Sequence, residues 1–116
     1  MNKQLLDKAW ATLQSDTAGA LRYMSLISLS SGQSILGYNN TPREDAFLVQ
    51  AVKNLQKTIQ IGEYCLADDT QGTTNFFIML GQYVLLLKVD KDKIMMGMFL
   101  NVVLPDAKKN FEEALA

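Results

Sequence analysis

The sequence predicts an α+β fold: a five-stranded antiparallel sheet covered by helices on both faces, in the order α-β-β-α-β-β-β-α. Three observations predict it. Apolar residues recur at helical spacing near both ends and in the middle. Glycine-bearing polar turns separate short β-rich runs. Three of those runs are apolar at consecutive positions, as strands buried on both sides must be.

The first helix is marked by Leu5, Leu6, Ala9, Trp10 and Leu13 on one face. Ser15-Asp16-Thr17-Ala18-Gly19 ends it with turn chemistry. Residues 21–29 and then Ile35, Leu36 and Tyr38 read as a hairpin around Ser30-Ser31-Gly32-Gln33. Gly32 supplies the positive φ of that turn.

Thr41 is a good N-cap, Pro42 suits the first helical position, and Glu44 stands where it can close a capping box. The central helix is therefore expected to run to about Ile61, with Gly62 at its end. Leu48, Ala51, Val52, Leu55 and Ile59 form its inward stripe, and Arg43, Gln50, Lys53, Lys57 and Gln60 lie opposite. Val49 falls on that polar side, out of pattern.

Residues 73–80 read as the third strand, and Gly81-Gln82 as a type II′ turn into a fourth over 83–89. Asp90-Lys91-Asp92-Lys93 reads as a polar turn into a fifth strand from Ile94 to about Leu100. Phe76-Phe77-Ile78-Met79-Leu80, Val84-Leu85-Leu86-Leu87 and Ile94-Met95-Met96 are the runs apolar on both sides. A last helix, from about Asn101 or Pro105 to Ala116, carries Leu104, Ala107, Phe111, Ala114 and Leu115 on one face. With no repeat or linker, residues 1–116 are expected to form a single domain.

Composition narrows the chemistry. Hydrophobic residues are 48% and charged residues 20% of the 116, the proportions of a globular protein. A net charge of −1 lacks the basic excess of a nucleic-acid binder. There is no histidine, which removes the commonest general base and metal ligand. One cysteine allows no intrachain disulfide and no thiolate zinc cluster. No G-x-x-x-x-G-K-[ST] loop is present, and Gly19, Gly32 and Gly37 fit no dinucleotide pattern. No cofactor is expected. Asp7, Lys3 and Lys8 interrupt what would be a signal peptide's apolar core. The run Ile94 to Leu104 is about half of the ~20 residues a membrane helix needs. A cytoplasmic protein without membrane insertion is expected.

The remaining candidates have ordinary readings beside sharper ones. Asp68-Asp69 and Asp90/Asp92 are poor cation sites, with too few oxygens and Lys91 and Lys93 adjacent, and read as solvated turns. Cys65 lies among Glu63, Tyr64, Leu66 and Ala67, with nothing to stabilise a thiolate, and reads as an inert thiol. Met79, Met95, Met96 and Met98 read as core fillers. The cationic side of the central helix, Arg43, Lys53 and Lys57, is either a solvated face or a guide for an acidic partner.

The element order resembles the roadblock/dynein-light-chain family, whose fold is related to that of profilin. The residues that carry the resemblance are Ile27-Ser28-Leu29 into Ser31-Gly32, then Ile35-Leu36, the long second helix, three apolar strands and a terminal helix, with Gly97 late in the last strand. The family often has Asp before the hairpin glycine, where Ser31 stands here. The resemblance implies a homodimer or heterodimer, with third strands paired edge to edge and central helices antiparallel on one face. It implies no active site, and a role as a platform for small Ras-like GTPases, as in bacterial motility and polarity, or as an adaptor on dynein or signalling complexes.

The reading that follows is a non-enzymatic, homodimeric scaffold or regulator of a small Ras-like GTPase. The alternatives are a dynein-type or other adaptor without a GTPase, or a small-molecule sensor on a similar sheet. Arg43, Val49, Gln50, Lys53 and Lys57 are the expected partner surface, because an apolar Val among charges gains only if it is covered. Thr73, Thr74, Asn75, Phe76 and Phe77 are the expected dimer interface, because that strand is placed at the sheet edge.

Overall fold

A computed structural model describes residues 1–116. The chain forms two compact units, one of residues Arg22–Val89 and one of the two chain ends, Met1–Leu21 with Asp90–Ala116. The elements are α1 (Lys3–Thr17), β1 (Leu21–Ser28), β2 (Ser34–Tyr38), α2 (Pro42–Gln56), β3 (Tyr64–Asp68), β4 (Thr73–Leu80), β5 (Tyr83–Asp90), α3 (Met96–Met98), a π-helical segment (Phe99–Val103) and α4 (Leu104–Leu115). The five strands form one sheet in the order β2-β1-β5-β4-β3.

Within the sheet, β1 and β2 pair antiparallel, with Leu26 opposite Leu36 and an irregularity between Leu26 and Ile27. Gly32 in their turn has φ 73°, as expected. Gly81 has φ 66° and leads the β4–β5 turn, the torsion that a type II′ turn requires of its first central residue. At opposite ends of the β1–β5 pair, Leu29 N–H donates to the Gln82 carbonyl at 2.9 Å and Asp90 N–H to the Ala20 carbonyl at 2.8 Å. These strands therefore run antiparallel.

α2 covers one face of the sheet. Leu48, Val49 and Val52 pack with Tyr23 and Ile27 of β1, Phe77 of β4, and Val84 and Leu86 of β5. The opposite-facing residues Met24, Leu26, Phe76, Ile78, Leu85 and Leu87 are buried as well. Both faces are thus apolar and buried, which explains the unalternating runs.

In the other unit, α1 and α4 lie against each other in opposite directions. Asn2 N–H donates to the Ala114 carbonyl at 2.7 Å, tying the start of one helix to the end of the other. Asn2 also caps α1, its Oδ1 accepting from Leu5 N–H at 3.1 Å. Leu6, Ala9 and Leu13 of α1 and Leu104, Ala107, Phe111 and Ala114 of α4 are buried.

Four expectations are corrected. Residues 94–100 are not a strand. The fifth strand is β5, and the helical stretch begins at Met96. Phe99, Val103, Ala107 and Phe111 recur every four residues and are buried, a helical stripe that the consecutive apolar run conceals. The third strand is β3, so β4 is interior, paired with β5 on one side and β3 on the other. Thr73, Thr74, Phe76 and Phe77 are buried within one chain and Asn75 is half-buried, so this segment is not the free edge on which the expected dimer interface rested. α2 ends at Gln56 rather than near Ile61.

Finally, Val49 is buried, at 6% exposure, whereas Leu55 is 38% exposed. Helical spacing of about 100° per residue puts Asp45, Leu48, Val49 and Val52 on one arc. The helix is rolled toward Val49 and away from Leu55. Val49→Asp is therefore expected to destabilise the fold by more than about 3 kcal/mol, since it buries an unpaired charge. Urea unfolding followed by circular dichroism measures this.

Candidate functional site

The amino-terminal end of α2 is held by a polar cluster. Thr41 Oγ1 accepts from Glu44 N–H at 3.2 Å, the expected N-cap. The Glu44 carboxylate does not turn back to close the box. It accepts from Lys88 Nζ of β5 at 3.1 Å.

Asp45, one residue further, is buried at 5% exposure. The Tyr23 hydroxyl of β1 donates to its Oδ1. Asn40 Nδ2 donates to its Oδ2 at 2.8 Å. The same amide reaches Ser34 Oγ at 3.4 Å, and Ser34 and Ser25 hydroxyls lie 2.8 Å apart across the β1–β2 pair. Lys88 Nζ sits 5.7 Å from the centre of the Tyr23 ring. Gly37 leaves room for all this: a Cβ there would lie 2.2 Å from Asn40 Oδ1.

This cluster decides which face of α2 looks outward. With Asp45 turned in, Phe47 is turned out and is 72% exposed. Ala51 is half-buried and Leu55 partly exposed, so Phe47, Ala51 and Leu55 form a stripe at four-residue spacing. Arg43, Gln50, Lys53 and Lys57 are exposed beside it, as expected. Gln50 Nε2 donates to Asn54 Oδ1 at 3.1 Å on the same side. Ile59, just past the helix, is 51% exposed. The structure thus gathers four of the five expected partner-surface residues, withdraws Val49, and adds Phe47. Phase was the available signal, because Phe47 falls between Arg43 and Ala51 on the helix circumference.

β3 forms one edge of the sheet. In an antiparallel ladder alternate residues bond to the neighbouring strand. The Glu63 carbonyl accepts from Met79 N–H at 3.0 Å, and Asp69 N–H donates to the Thr73 carbonyl at 3.0 Å. Cys65 and Ala67, of the same parity, face β4 with their backbone groups. Leu66 aims its N–H and carbonyl at the open edge, and its side chain is 47% exposed. Cys65 is half-buried against the α2 cluster, and burial pushes its thiol pKa up, which fits an inert thiol.

The adjacent carboxylates are turn-formers. Asp68 Oδ1 accepts from Thr74 Oγ1 at 2.7 Å. Asp69 accepts from the Thr73 hydroxyl, from Gln71 N–H at 2.8 Å, from Thr73 N–H at 3.1 Å and from Asn75 Nδ2 at 3.1 Å. These bonds, the Thr73 hydroxyl first, hold its carboxyl well below the usual range. Of the methionines, Met79 packs on the α2 cluster, but Met95 and Met98 are exposed rather than core.

A five-stranded antiparallel sheet with the long helices α1, α2 and α4, ordered this way along the chain, is the roadblock-like α+β fold. Among solved structures, Myxococcus xanthus MglB is similar over 93% of this chain and 94% of that chain, with a TM-score of 0.72 and 15% sequence identity. No protein-family model and no curated protein matches the sequence. No helix is long and apolar enough to cross a membrane.

The Tyr23 hydroxyl is pushed far above its ordinary pKa, first by burial and then by its bond to Asp45 and the Asp45 charge. A group whose folded pKa is raised stabilises fully below the unfolded value and loses that contribution as pH rises. Stability is therefore expected to fall as pH climbs past about 10, and to fall less steeply in Tyr23→Phe. At neutral pH, Tyr23→Phe leaves Asp45 short of a donor and is expected to cost about 1–3 kcal/mol. Denaturant midpoints of both proteins from pH 7 to pH 11 check both statements.

Proposed function

We propose that this chain is a single roadblock-like domain, 1–116, that acts as a non-catalytic, dimeric regulator or scaffold of a small Ras-like GTPase. The observation that carries the proposal is the outward face of α2, where Phe47 stands exposed beside Arg43, Gln50, Lys53 and Lys57. A large aromatic ring among cationic side chains is the composition of an interface core with a polar rim. The roadblock family that the sequence resembles implies the class of partner.

The dimer has a place in this reading as well. An open strand edge with an exposed Leu is an association hazard unless it is covered. A second copy, running antiparallel about a two-fold at Leu66, sets Leu66 opposite Leu66 and uses the outward N–H and carbonyl twice. It also carries the second α2 to the same face as the first.

Two measurements test this. Leu66→Pro removes the outward N–H without touching the β3–β4 ladder, a position where edge strands accept proline. It is expected to halve the mass seen by light scattering at low micromolar concentration, with the circular dichroism spectrum unchanged. A wild-type protein already of single-chain mass would contradict the dimer. Immobilised wild-type protein is expected to retain a purified small Ras-like GTPase from its own cell, with a preference between GTP-analogue and GDP forms. Phe47→Ala is expected to weaken that binding at least tenfold, the effect of about 1.4 kcal/mol. If no such GTPase binds in either nucleotide state, the proposal fails and an adaptor role takes its place.

A further inference from the structure

α2 and its C-cap carry the charged residues Arg43, Glu44, Asp45, Lys53 and Lys57, and the fold sorts them by sign. Both acids are engaged toward the sheet. Glu44 accepts from Lys88 Nζ at 3.1 Å, and buried Asp45 accepts from the Tyr23 hydroxyl and the Asn40 amide. The three cations are exposed, and no carboxylate of the chain pairs with any of them. No acid follows Asp45 in the chain until Glu63. A chain of net charge −1 thus presents one helix face whose unpaired charges are all positive.

Helix stability explains two of these cations and not the third. Lys53 and Lys57 stand at the carboxyl-terminal end of α2, where the helix dipole favours positive charge. Arg43 stands in the first turn, where it opposes the dipole. No ion pair within the chain offsets that placement, because the acids of the same turn point elsewhere.

The spacing of the charges brackets the exposed ring. Arg43 and Lys53 are about 15 Å apart along the helix axis, with Lys57 about 6 Å further. Phe47, 72% exposed, lies between them, one turn from Arg43. The signs also narrow the occupant. A second copy set face to face on this side of α2 would place cation against cation. Polybasic segments that bind anionic lipid carry about 4–8 clustered cations, and this face has three, spread along the helix.

Resting on the GTPase reading above, we propose that the surface the GTPase presents to α2 is acidic: an apolar pocket for Phe47 with carboxylates on both sides of it along the helix axis, one group facing Arg43 and the other facing Lys53 and Lys57. The two kinds of contact do different work. The cations at the rim attract the partner before contact and set the association rate, and the desolvated ring sets the dissociation rate.

Association and dissociation rates of the purified small Ras-like GTPase on the immobilised protein test this between about 0.01 M and about 1 M salt, where the screening length falls from about 30 Å to about 3 Å. The association rate is expected to fall at least about tenfold over that range, with the dissociation rate changing far less. Arg43→Glu, and separately Lys53→Glu/Lys57→Glu, are expected to slow association at low salt and to flatten its salt dependence, with the circular dichroism spectrum unchanged. Lys109→Glu makes the charge change of a single reversal at an exposed position of α4 and is expected to leave the rates at the wild-type level. Phe47→Ala is expected to act mainly on dissociation. A GTPase that binds with an association rate indifferent to salt and to both reversals overturns this inference and leaves the GTPase reading standing. A GTPase that binds in neither nucleotide state ends that reading and this inference with it. Retention of the protein on phosphatidylglycerol vesicles, lost in Arg43→Glu and without any GTPase binding, puts a lipid surface in the partner's place and overturns both.

Discussion

The structure of the Arg22–Val89 unit depends on where Asp45 points. A carboxylate taken out of water costs free energy unless donors replace the water it leaves. Here the replacements are the Tyr23 hydroxyl and the Asn40 amide, and the group stands in the first turn of α2, where the helix dipole favours negative charge. The two donors require Asp45 to face the sheet. Once it does, helical geometry leaves no choice about the rest: Val49 goes in beside it, and Phe47 goes out. Gly37 is part of the same constraint, since a side chain there would displace Asn40.

That constraint also shows which parts of the fold were legible in the sequence. Local signals were sufficient where one residue type has one backbone role. Gly32 and Gly81 mark their turns, Thr41 and Pro42 mark the start of α2, and two of the doubly apolar runs, Phe76 to Leu80 and Val84 to Leu87, mark buried strands. The roll of α2 was not legible in this way. The apolar stripe of Leu48, Val52, Leu55 and Ile59 suggests one inward face, and only the tertiary bonds of Asp45 choose another. A buried Asp is uncommon, so periodicity counts it as polar and outward.

β3 was hidden for a different reason. Tyr64–Asp68 has five residues, two of them Ala and Asp, and reads as loop. Its absence moved β4 to the edge and sent the dimer interface to residues that are buried within one chain. The helical stretch from Met96 was hidden by its own richness, because a run of apolar residues has no visible period. Asn101 or Pro105 reads as the start of the last helix, whereas both lie inside a helical stretch that shifts into π register ahead of Pro105. The roll of α2 puts Phe47 rather than Val49 on its exposed side, and the hidden β3 puts Leu66 rather than residues 73–77 at the sheet edge.

Thiol accessibility reports the roll of α2 directly. In a Cys65→Ser, Leu66→Pro background, Phe47→Cys and Val49→Cys each place one thiol on the helix. The rate of reaction with a small disulfide reagent then measures exposure at each position. Fast reaction is expected at 47 and strong protection at 49, with the protection reduced when Tyr23→Phe or Asp45→Ala loosens the helix. Fast reaction at 49 with protection at 47 would contradict this roll, because the helix would then be rolled the other way.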